Sequence, residues 1–138
     1  MAGFVFAYRK SGGAPTIEDL LFANTETLTE GDLLNLESGE VDLGVTSDTN
    51  FLGVALETVS GTDSTTRIQC ITDADAVYSV EDNVVRLKGA TLDIAGATGA
   101  QTVATSSNKE FVVAAESTAT EPTLVRFNVG MHHDNDAL

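Results

Sequence analysis

The residues able to do chemistry in this chain are few: two histidines, His132 and His133, and one cysteine, Cys70. Nucleophilic catalysis needs a Ser, Thr or Cys activated by a base, most often histidine. His132 and His133 are neighbours in "MHHDNDAL", and on an extended chain adjacent side chains point to opposite faces. The run offers His132, His133, Asp134 and Asp136 to a metal ion, yet it lacks the ligand spacing of a structural or catalytic site. Cys70 lies in "TTRIQCIT", two residues from Ile68 on the same face of a strand. It reads as a small buried hydrophobe. Arg67 is the only cation near it in sequence, too little to activate a thiol.

Carboxylates are plentiful, with 21 Asp and Glu against 7 Lys and Arg and a net charge of −14. A pair for glycoside hydrolysis is therefore available by number. The aromatic platforms that sugars stack on are scarce, with no Trp and only Tyr8 and Tyr78 as tyrosines. "DTNFLG" and "SGTDST" lack the regular acidic spacing of a calcium loop, and no phosphate-cradling glycine motif occurs. The sequence argues against an enzyme, and no catalytic, cofactor-binding or metal-ligating residue is expected.

The charge also bears on partners. Binding nucleic acid by counterion release needs Lys and Arg facing phosphate, and this chain would mostly repel it. Such acidity favours solubility and confines self-association to a specific interface; it also fits a salty environment. A protein partner is expected, rather than nucleic acid or a membrane. The apolar runs are too short to span a bilayer. "MAGFVFAYRK" puts its basic residues after the apolar run, the reverse of a signal peptide. With one cysteine and no intrachain disulfide, the chain is expected to fold in a reducing cytoplasm.

These residues must be positioned by strands. Apolar and polar residues alternate through most of the chain, the period of half-buried β-structure. Leu52, Val54 and Leu56 are expected on one face of "NFLGVALETVS". Ile68 and Cys70 face in against Arg67 and Gln69. "TLVRFNVG" buries Val125, Phe127 and Val129 and exposes Arg126 and Asn128; "NVVRLKG" repeats the idea with Val85 and Leu87 against Arg86 and Lys88. "ESGE", "SDTN", "SGTD" and "GATGA" supply the Gly and Asx residues that reverse a chain, and "DADA" reads as another turn or a single helical turn. "TIEDLLFANT" is ambiguous between short helix and strand. Strands at this spacing predict an all-β fold, a small antiparallel barrel or a sandwich.

The first residues stand apart. Phe4, Phe6 and Tyr8 fall on one side of an extended segment and lead into Arg9 and Lys10. They read either as an arm docking on a partner by strand addition or as the first strand of the domain. The expected organisation is an N-terminal arm or first strand over 1–27, a β-domain over 28–131, and a flexible polar tail over 132–138.

"EGDLLNLESG", then "FLGVALETVSGTDSTTRIQCITDADAVYSV", "GATLDIAG" and the closing "TLVRFNVG" resemble the small capsid decoration, or cement, proteins of tailed bacteriophages. The likeness runs over about residues 28–130 and leaves the first 27 aside. It implies an all-β barrel or tulip-like sandwich, with an extended N-terminal arm. Such a domain would sit on the outer surface of the virion head as a homo-oligomer, trimer favoured, binding the major capsid protein. By position, Phe4, Phe6, Tyr8, Arg9 and Lys10 would be the shell-binding residues. A phage tail or fibre component and a secreted carbohydrate-binding or adhesion module are the competing expectations.

Overall fold

Short apolar stretches punctuated by turn residues fold into strands and no helix in the computed structural model, which describes residues 3–22, 26–61, 66–105 and 107–133. The chain opens with β1 (Phe4–Arg9), β2 (Ile17–Leu21), β3 (Thr27–Leu28) and β4 (Leu33–Glu37). β5 (Glu40–Leu43), β6 (Phe51–Ala55), β7 (Val59–Ser60) and β8 (Arg67–Ile71) follow. The last are β9 (Ala76–Val80), β10 (Thr91–Ala95), β11 (Thr102–Thr105), β12 (Phe111–Ala115) and β13 (Thr123–Phe127).

Two antiparallel sheets face each other. One has six strands in the order β1-β9-β13-β12-β10-β11, the other five in the order β2-β8-β6-β4-β5, and β3 pairs with β7 separately. The edge strands β2 and β5 approach each other, so the five-stranded sheet curls, but no ladder closes it. The architecture is a sandwich, not a closed barrel.

The curl explains why β6 is buried at every position. Phe51, Val54, Leu33 and Ile71 face the six-stranded sheet and join Phe4, Phe111, Val125 and Phe127 in the main core. There Phe4 stacks on Phe111 at 5.4 Å and Phe111 on Phe127 at 5.5 Å between ring centroids. Leu34, Leu52, Ile68 and Cys70 point into the curl and form a second core with Phe22 and Leu28. Buried polar groups tie the layers together. Asp32 accepts hydrogen bonds from the amides of Thr29 and Gly99 and from the Thr98 hydroxyl. Gln101 accepts from the Leu33 amide at 2.6 Å and donates to the Gly44 carbonyl at 2.9 Å.

Several expectations change. The register of β4 against β6 skips Leu52, so a bulge sends Leu52 into the second core and Val54 into the first. Val129 is 86% exposed because the chain turns at 128–130. Val85 and Leu87 are exposed as well, since 81–90 is a connecting segment with only an isolated bridge between Arg86 and Ser117. The ambiguous "TIEDLL" is strand β2. The first residues form β1, an edge strand laddered to β9, so over Phe4–Arg9 the arm reading gives way to the first-strand reading. Of the tail expected over 132–138, the first two residues are held in the fold. His132 is 1% exposed, its ring lies 2.7 Å from the Leu52 carbonyl, and the His133 amide donates to the Phe51 carbonyl. Residues 134–138 lie outside the described residues.

Candidate functional site: a basic cleft on the six-stranded sheet

The groups with intrinsic reactivity are engaged in structure. Cys70 is fully buried; burial first, then the charges of Glu18 and Asp19, push its thiol up to about 12. It stays protonated at neutral pH and is a poor nucleophile. His132 packs on Phe127 with centroids 5.3 Å apart. Among the described residues no group of three or more His, Cys, Asp or Glu is placed to hold a metal ion. Glu110 is fully buried, accepting from the amides of Ile94 and Ser47. Burial raises its pKa against those bonds, with Asp93 adding to the rise. It serves as a turn anchor.

The outer face of the six-stranded sheet is different. In β12 and β13 the residues between the core positions, Val112, Leu124 and Arg126, point away from the main core. Arg126 lies opposite Val112 in the ladder. A bulge at Ala7 shifts the register of β1, so that Phe6 stands opposite Tyr78 and Tyr8 opposite Val77. Such a bulge re-aims the side chains beyond it. Phe6 keeps an edge-on contact with Tyr78 at 6.5 Å, whereas Tyr8 joins the outer face and is 45% exposed. Lys10 follows β1, anchored through its amide to the Asp75 carbonyl. Lys88 arrives from the 81–90 segment, which is held against β12 by Gly89 N–H to Val113 O at 2.9 Å and Val113 N–H to Ala90 O at 2.8 Å. Tyr8, Lys10, Lys88 and Arg126 line one open cavity of about 340 Å³, with Val77, Val112 and Ala114 in its wall.

The charge around this cleft is unusual for the chain. Arg9 is bound to Asp75 at 3.0 Å and to Asp73 at 3.5 Å. Arg86 grips both Asp82 oxygens at 2.6 and 3.2 Å. Arg67 donates to the Asp19 carbonyl, and Lys109 also has a partner. Among the described residues Lys10, Lys88 and Arg126 have no side-chain hydrogen bond or ion pair, and all three line the cleft.

The five residues singled out from sequence thus divide. Tyr8 and Lys10 meet in the cleft. Phe4 is a core residue at 1% exposure, Phe6 packs at the sheet edge, and Arg9 is committed to its aspartates. Lys88 and Arg126 were legible only as exposed positions of strand-like runs; pairing of β1, β9, β13 and β12 brings them to Tyr8. Along the other side of β1 runs a smaller apolar groove of about 180 Å³, walled by Phe4, Phe6, Gly31, Val54 and Leu56. No protein-family model matches the chain, and no curated protein matches it at a significant level.

Proposed function

We propose that the protein is a decoration protein of a tailed-bacteriophage head, binding the major capsid protein on the outer surface and stabilising the shell against internal DNA pressure. The observation that carries this reading is a two-layer β-sandwich that has, among the described residues, a cationic patch unlike its acidic remainder. There an exposed tyrosine and three unpaired cations share a cleft beside an open sheet edge. The sequence resemblance over about residues 28–130 points the same way. The mechanism is mechanical. Each apolar contact across neighbouring shell subunits adds about 25 cal/mol per Å² buried, and linked copies, with a homotrimer favoured, multiply the hold through effective concentration. A strongly acidic body suits a face turned away from packaged genome, since like charge repels polyphosphate.

The test is co-sedimentation of the purified protein with undecorated, expanded heads, read with the melting temperature of the heads. The expected result is saturable pelleting and heads that open at higher temperature. Protein left in the supernatant, combined with retention on a glycan array, overturns this reading in favour of a carbohydrate-binding module.

A further inference from the structure

We infer that the cleft formed by Tyr8, Lys10, Lys88 and Arg126 binds an acidic, extended segment of a protein partner. That the segment belongs to the shell rests on the decoration reading; the chemistry of the cleft does not.

The argument begins with charge. In a chain with 21 carboxylates an internal partner for a cation is easy to find, as Arg9 and Arg86 show. Three of the seven cations instead stand unpaired around one cavity. No bond among the described residues engages them, which leaves them available to an external anion.

The shape of the cleft selects the kind of anion. The cations come from three separate elements, the end of β1, the 81–90 segment and β13, so they do not form one compact fork for a single small anion. Between them lie Val112 and Ala114, with the buried Val77 behind. The cavity is at the lower end of the roughly 300–1,000 Å³ typical of ligand sites, more space than one carboxylate or phosphate fills. Apolar wall and cationic rim match an extended segment whose cleft-facing side chains, every second residue, include both acidic and apolar ones. A nucleic acid strand is disfavoured because its many phosphates would meet the net charge of −14. A short protein segment needs only local complementarity, which sets specificity and encounter rate.

The experiment titrates isotopically labelled protein with a short Glu-Ser-Val-Ser repeat peptide, which puts Glu and Val on one face of an extended chain, followed by amide chemical shifts. The same peptide with Lys in place of Glu and inorganic phosphate serve as controls. The expected result is shifts confined to the surroundings of Tyr8, Lys10, Lys88 and Arg126 with the acidic peptide alone, fading as salt shortens the Debye length from about 10 Å at 0.1 M. Lys88→Gln and Arg126→Gln should each weaken binding roughly 1.5- to 5-fold, the range of exposed ion pairs. Lys88→Glu with Arg126→Glu should abolish it while leaving the melting temperature near that of the wild type. Shifts that are absent or lie elsewhere overturn the proposal, as does phosphate saturating the same amides equally tightly. Head co-sedimentation separates the two readings. Wild type and the double Glu variant pelleting alike would remove the cleft as the contact and leave decoration standing. Acidic-peptide binding without any pelleting would do the reverse.

Discussion

Gly53 shows how much one residue decides. A Cβ at this position would lie 1.6 Å from the Ile71 carbonyl oxygen, so β6 can lie against β8 only with no side chain there. Gly53→Ala should therefore destabilise by about 3 kcal/mol or more, the upper range for overpacking, measured by urea unfolding. A wild-type midpoint would show that the two strands can separate at no cost. Asp93 decides a turn. Its carboxylate accepts from the amides of Ser107, Asn108 and Lys109 at 2.8–3.1 Å. Burial alone would raise its pKa; these bonds outweigh burial and hold it below the usual carboxylate range. Asp93→Asn should cost about 1.5–3 kcal/mol, as hydrogen bonds to a charged group do, again read from unfolding midpoints. Both residues were visible in the sequence, one as part of "LGVAL", the other as an ordinary acidic residue. Neither role was legible, because each depends on backbone brought in from 14 or more positions away.

At the level of elements, alternation located most strands but not their faces. Ile68 and Cys70 turn inward as period 2 requires, while Leu52 and Val54 part company across a bulge. A bulge adds one residue and inverts the pattern beyond it, and no composition rule marks where it falls. β1 carries a second bulge, and with it the difference between Phe6 at the sheet edge and Tyr8 in the cleft. Because Phe4 packs among Phe111 and the main core, β1 is structural as well as exposed. Phe4→Ala should cost about 3–5 kcal/mol, and deleting residues 1–9 should broaden or abolish the melting transition. A deletion variant that melts like the full chain would return this segment to the status of a detachable arm.

For the whole molecule, charge sets the response to pH and salt. At neutral pH the net charge of −14 repels itself and weakens the compact state, so added salt should raise the melting temperature there. Acidification has two phases. Protonating exposed carboxylates first relieves repulsion, and the raised pKa of Glu110 also favours the fold as pH falls. Asp75 acts oppositely. Burial would raise its pKa, but bonds from Ser11 and Arg9 hold it at about 2; that of Asp93 is lowered too. Their contribution is complete above the ordinary aspartate value of about 3.9 and is lost as pH falls towards 2. Calorimetry across pH should therefore show stability rising from pH 7 into the mildly acidic range, then falling below about pH 4. A maximum at neutral pH would sink this account. The sequence by itself determined the all-β class, the turns at "ESGE" and "GATGA", the acidic balance and the inward face of β8, because these follow from local periodicity and composition; "SGTD" runs past residue 61, outside the described residues. Only the tertiary structure decided that the fold is a two-core sandwich, that Phe4 is core, and that Lys88 and Arg126 join Tyr8 and Lys10. The physical reason is that strand order and bulges are settled by long-range packing of both faces of each sheet, which no local window of residues contains.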